Sequence, residues 1–192
     1  MKQSIATIAL FAATVSAAPA AAAAAAAADV TASAADSFVI EQTLTIDAPI
    51  ATAWETLRAP QKWWDPEHTY SNDSANLYLD SQATGCFCER IPGKGSVEHG
   101  HIVYVAPGRM IRMTGGLGPL QAEAVSATLS IKLDDEGDKA TKVTLTYVVG
   151  GYMRQGGETL APLVDTVLAG QLARLKSAAE SAPAPTTAPD RK

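Results

Sequence analysis

The chain has 192 residues, 47% of them apolar, with 15 basic against 20 acidic side chains and a net charge of −5. That is enough for one domain with a real core. The acidic balance and the lack of a basic stripe argue against nucleic acid as a partner, and beyond the N-terminus no apolar stretch is long enough to span a membrane.

The first thirty residues read "MKQSIATIALFAATVSAAPAAAAAAAAADV". One lysine precedes an apolar run from Ile5 to Val15, and small residues follow. This is the pattern of a secretory signal, too short in its apolar part to stay in a bilayer. A buried Ala-rich helix is the competing reading. The expected organisation is a signal and Ala-rich segment over residues 1–28, one domain over 36–180, and a disordered Pro/Ala/Thr-rich tail over 181–192. Loss of the leader, near Ala28, removes only Lys2 among the charged residues. The mature chain then carries 14 basic against 20 acidic residues, a net charge of −6. Export predicts a periplasmic or secreted protein in an oxidising compartment, with no stable membrane insertion after cleavage.

Along the domain, "DSFVIEQTLTID" alternates. Phe38, Ile40, Leu44 and Ile46 share one face with Gln42, which predicts a half-buried strand. "DAPIATAWETLRAP" reads as a short helix capped by Asp47, with Pro49 in its first turn and Pro60 at its end. "QKWWDPEH" adds a short helical turn running into a loop. "ANLYLD", "TGCFCERI", "SVEHGHIVYVA" and "RMIRMT" read as strands, the middle pair joined by a tight turn over residues 92–95. "GGLGPLQ" is a Gly/Pro loop. "AVSATLSIKLDD" and "TKVTLTYVVGG" form a hairpin with one apolar and one polar face. "ETLAPLVDTVLAGQLARLKSAAE" then places Leu160, Leu163, Val164, Val167, Leu168, Leu172 and Leu175 at helical spacing, with Gln171 intruding. The economical packing is one curved sheet wrapped around that last helix.

This order, together with "AWETLRAPQKWWDPEHTYS", "GCFCER", "SVEHGHIVYVAPGRMIRMTGGLGPLQA" and "VTLTYVVGGY", resembles the START-like SRPBCC superfamily with its helix-grip fold. The resemblance covers about residues 38–176 and is greatest to the heat-shock-protein ATPase activator-like and polyketide cyclase-like branches. It implies an α+β fold in which a curved antiparallel sheet grips a long C-terminal helix, with two short helices after the first strand. It also implies a mostly apolar cavity holding a small hydrophobic or aromatic ligand. The co-chaperone use known from one branch does not fit an exported chain.

Hairpin register sorts the candidates. A turn over 92–95 puts Glu89 opposite Glu98, Phe87 opposite Gly100, Cys88 opposite His99 and Cys86 opposite His101. The next turn puts Tyr104 opposite Ile111 and Ile102 opposite Met113. Phe87, Glu89, Ile102, Tyr104 and Met113 then face the cavity, continued by Tyr147. Leu163 and Val167 supply the helix side. In the resembling fold Trp63, Trp64 and His68 border the mouth, with Leu117 of the Gly/Pro loop. Glu89, a carboxylate on an apolar face, is expected to have a raised pKa.

Three uses stay open. The first is a binding module. The second is a cyclase- or hydrolase-like enzyme using Glu89 with Tyr104 or His68. The third is a metal or redox surface on Cys86, Cys88, His99 and His101, all on the outer face in this register. The cysteines themselves can form a disulfide, ligate metal or remain buried thiols. Two residues of extended strand span about 6.6–6.8 Å, so a bridge needs a bulge or twist. No cofactor motif or resident metal is expected, and no oligomer signal is visible.

Overall fold

The computed structural model describes residues 30–183. The expected leader and residues 184–192 of the expected tail lie outside them. The strands are β1 (Val30–Ala34), β2 (Ser37–Ile46), β3 (Leu77–Leu79), β4 (Cys86–Ile91), β5 (Gly95–Ala106), β6 (Met110–Thr114), β7 (Ala124–Asp135) and β8 (Thr141–Tyr152). They form one antiparallel sheet in the order β1-β2-β8-β7-β6-β5-β4-β3. Helix α1 (Ile50–Leu57) and the long α2 (Gly157–Ser181) complete the expected α+β architecture. No helix among the described residues is long and apolar enough to cross a membrane.

Strand alternation builds the inner face. Phe38, Ile40 and Ile46 of β2, Ala127, Leu129, Ile131 and Leu133 of β7, and Val143, Leu145, Tyr147 and Val149 of β8 are all buried. The polar residues between them face out. β1, which the sequence pattern does not announce, pairs with β2 and covers that edge. Helix α1 starts at Pro49 rather than under an Asp47 cap. Asp47 instead receives a hydrogen bond from Lys176 of α2, at 3.3 Å.

Helix α2 packs on β1, β2 and α1, so it covers only that half of the sheet. The other half, over β4, β6 and β7, lies under a collar, residues 58–76, that follows α1. The collar holds three 3-10 turns, at Pro60–Lys62, Pro66–His68 and Ser74–Asn76. The C-terminal part of the α2 stripe is as expected, with Leu168, Leu172 and Leu175 buried. The N-terminal part is rotated. Ala161 and Asp165 face the sheet there, and Leu163 is 59% exposed.

β5 carries two register shifts, one opposite Phe87/Cys88 and one between Ile102 and Tyr104. Each inserts an extra residue, which bends the strand and increases its twist. The β4–β5 turn is also one residue shorter than expected, since Gly95 pairs with Ile91. Turn and bulge cancel by Phe87, which pairs with Gly100 as the sequence predicts. Between them the faces differ: Cys88 opposes Glu98, and Glu89 opposes Val97.

Candidate functional site

The aromatic wall begins in the collar. Pro60 and the turn after it drop Trp63 into the core, and Trp64 follows at its edge. The Trp63 and Trp64 ring centres lie 5.4 Å apart, and Trp64 meets Phe87 of β4 edge-on at 5.1 Å. Phe87 continues to His99 at 4.9 Å, and His99 to Tyr70 at 5.8 Å. Such tilted and edge contacts suit the ring quadrupole. Trp64 donates its indole N–H to the His68 carbonyl at 3.1 Å, whereas the buried indole N–H of Trp63 has no protein acceptor.

Beneath this wall is a cavity of about 20 Å³, lined by Leu57, Pro60, Trp63, Trp64, Leu79, Phe87, Ile111, Met113, Leu129 and Ile131. That is the space of roughly one water molecule. Gly100 helps to shape it: a Cβ there would meet the Met113 sulfur at 2.7 Å, so the missing side chain lets Met113 lie across the strand. No titratable side chain lines the cavity. The lining contains four expected residues: Trp63, Trp64, Phe87 and Met113. Ile102 and Tyr147 are fully buried in the core beside it. The Tyr147 hydroxyl accepts from the Leu117 amide at 2.9 Å and donates to the Gly115 carbonyl at 3.1 Å. Burial pushes its pKa up to about 12. It is an anchor for the Gly/Pro loop, and Leu117 is held by it rather than standing free.

Leu163 and Val167 are not part of this space. They line a separate surface groove of about 180 Å³, with Leu120, Leu160 and Val164, between α2 and the 3-10 turn Gly118–Ala122. The single cavity expected between sheet and α2 is therefore two spaces, an inner one under the collar and an outer one on the rotated half of the helix.

Glu89 faces inward as expected and is fully buried. Its Oε1 accepts the Ser71 amide at 2.5 Å, and its Oε2 accepts the Tyr70 amide at 3.0 Å. His99 Nε2 stands 2.9 Å from Oε2, and an ionised carboxylate only accepts, so His99 is the donor. The expected raised pKa is wrong in sign. Burial pushes the carboxyl up, but hydrogen bonds from Ser71, Tyr70 and His99 outweigh it and hold the pKa below the ordinary value. For His99, burial pushes its pKa down more than Glu89 raises it, so the imidazole is neutral at pH 7.

The register shifts explain the other corrections. The shift after Ile102 puts Tyr104 opposite Arg112, not Ile111. Tyr104 is 49% exposed, and its ring lies 6.0 Å from the Arg112 guanidinium on the outer face. His68 is exposed on the collar, 3.4 Å from Gln171 and 3.7 Å from Asp65. Glu89, Tyr104 and His68 therefore do not converge. The other shift carries His99 inward, away from the cysteines, while His101 stays outside, 3.3 Å from Glu98. Cys86 and Cys88 form a disulfide, their Cα atoms 5.5 Å apart. The four-residue metal set is not assembled, and no cluster of three metal-ligating side chains occurs among the described residues.

A family model described as "Polyketide cyclase / dehydrase and lipid transport" matches residues 37–180. Among solved structures, the chain is similar to a conserved protein of unknown function from Enterococcus faecalis, at 12% identity and TM-score 0.56, over 81% of this chain and 78% of that one. It is also similar to a truncated norcoclaurine synthase from Thalictrum flavum, at 13% identity and TM-score 0.54, over 77% and 96%. A Thermobifida fusca protein determined in solution matches at 13% identity and TM-score 0.55, over 73% and 92%. At these identities the likeness is one of fold. No curated protein matches the chain significantly.

Proposed function

The chain belongs to the polyketide cyclase/dehydrase and lipid transport family, and from that membership we propose that it is an exported binding protein for a small hydrophobic or aromatic ligand. The observation that carries this reading is the lining of the inner cavity: three aromatic rings and a methionine among aliphatic side chains, with no titratable group reaching it. Such a wall holds a ligand by area and shape. It supplies no acid, base or nucleophile.

The cavity is more than tenfold smaller than the roughly 300–1,000 Å³ of ordinary ligand sites. Binding therefore requires the collar to swing outward. Its attachments suit that. No sheet ladder holds residues 58–76. The Trp63 side chain gives up no protein hydrogen bond by moving. The main ties are the Glu89 clamp on Tyr70 and Ser71, the Tyr70 hydroxyl on Gly118 and Gln121, and the contacts of Asp65 and His68 with Gln171 and Arg174. The leader-like N-terminus supports export, and so does the Cys86–Cys88 disulfide, a bond that persists in oxidising compartments.

One experiment tests both parts: native mass spectrometry of the chain isolated from the periplasm or medium of its own host. The expected result is a chain shortened by about the first 28 residues, with an apolar molecule released on activation. An intact N-terminus in the cytosol contradicts export. A mature chain that never carries or takes up an apolar ligand contradicts the binding role.

A further inference from the structure

Cys86 and Cys88 lie on one face of β4 with Phe87 between them pointing inward. Two residues of ordinary strand advance about 6.6–6.8 Å, yet these Cα atoms are 5.5 Å apart. The ladder absorbs the shortfall at this point, through the register shift between Phe87 and Cys88. The residue displaced on β5 is His99, which turns inward to Glu89 at 2.9 Å. Glu89 is the residue next to Cys88, and it holds the Tyr70 and Ser71 amides of the collar. Disulfide, bulge, His99, Glu89 and collar thus form one connected series.

We propose that the Cys86–Cys88 disulfide is a thiol–disulfide exchange site whose state sets the grip on the collar, tight when oxidised and loose when reduced. The co-reactant is a dithiol reductant, a small molecule or a protein dithiol. Cys86 is the half-buried, reachable sulfur. Cys88 is 6% exposed, between Tyr78 of β3 and Glu98 of β5. A thiolate of the reductant attacks Cys86 Sγ, the Cys86–Cys88 bond breaks, and Cys88 leaves as a thiolate that takes a proton from water. The second thiol of the reductant, as its thiolate, attacks the reductant's own sulfur in the mixed disulfide and releases the Cys86 thiolate, which is protonated in turn. The protein gains two electrons and two protons, and the reductant becomes a disulfide. With the tether cut, β4 can lengthen to ordinary strand spacing and the bulge that presents His99 loosens. The consequence for ligand entry rests on the binding role proposed above; the coupling from sulfur to collar does not.

Amide hydrogen exchange on the full mature chain, oxidised and then reduced with dithiothreitol, tests the coupling. On reduction the Tyr70 and Ser71 amides should exchange at least about tenfold faster, while the β7–β8 ladder keeps its protection. A Cys86→Ser/Cys88→Ser variant should match the reduced form. Unchanged exchange at Tyr70 and Ser71 overturns the proposal. So does loss of protection throughout, because the disulfide would then be a staple for the whole domain. Titration of both forms with anilinonaphthalene sulfonate tests the gate, and affinity at least about threefold higher in the reduced form is expected. Equal affinity removes the gating role. Absence of binding by either form counts against the ligand reading, with the exchange data still deciding the coupling.

Discussion

Glu89 accepts three hydrogen bonds, and two of them come from a loop 18 and 19 residues away in the chain. That distance explains why its position was legible and its charge state was not. Strand alternation shows a carboxylate on an apolar face but says nothing of donors brought by another segment. His99 was missed for a related reason: strict alternation assigns it outward, and only the bulge turns it in. Its neighbour Gly100, a residue common at bulges, was the available signal. Replacing Glu89 with Gln leaves the amides one weaker acceptor, and should cost about 1.5–3 kcal/mol. The pH dependence has a definite sign. Both folded pKa values are depressed, so the unfolded state binds more protons and stability falls on acidification. The decline begins below 6.5, the ordinary value for histidine, as the unfolded chain takes up a proton that buried His99 refuses. A further decline begins below 4.5 as Glu89 does the same. Urea midpoints between about pH 7 and pH 4 should show both slopes, the lower one diminished in Glu89→Gln. A flat profile contradicts the clamp.

Helix α2 shows how far periodicity reaches. Its apolar spacing identifies the element and the Leu168–Leu175 stripe. It cannot show that the first turns roll away from their own leucines. The cause is close approach to the β1–β2 turn: a Cβ on Gly157 would run into the Ala34 and Ser37 carbonyls. Contact that close favours Gly157, Ala161 and Asp165 on the buried side. Asp165 is accommodated because Gln42 donates Nε2 to its Oδ1 at 2.7 Å and to its carbonyl at 2.8 Å. The Gln42 Oε1 is left without a protein partner. Such a pair is costly to break singly and cheap to remove together. Gln42→Leu alone should cost about 1–3 kcal/mol, towards the upper end because it strands a carboxylate. Adding Asp165→Leu should recover most of that loss. Chemical denaturation of the two single variants and the double variant checks this, and simply additive losses would contradict it.

For the molecule as a whole, the succession of elements from β2 to α2 and the buried faces of β7 and β8 follow from pattern, whereas β1 and the order of strands in the sheet do not. Nor does the division of the interior, because it depends on where α2 ends its cover and the collar begins. That division makes the two spaces separable by mutation. Phe87→Ala should destabilise by about 3–5 kcal/mol and enlarge the inner cavity. Binding of anilinonaphthalene sulfonate should then tighten, provided thermal melts show the variant folded. Leu163→Ser touches only the outer groove, where stability should move by no more than about 0.5 kcal/mol. Affinity should stay as it was. A large loss in Leu163→Ser with no change in Phe87→Ala would move the ligand to the groove on α2.

All the tryptophans of the chain, Trp54, Trp63 and Trp64, lie in α1 and the collar that follows it. The long helix and the hairpins contain none. Tryptophan emission from the unmodified protein is therefore a local signal from one side of the fold. Shifts in tryptophan emission without unfolding report rearrangement around α1 and the collar, or of what packs on them. The segment assigned here to opening already carries its own reporter.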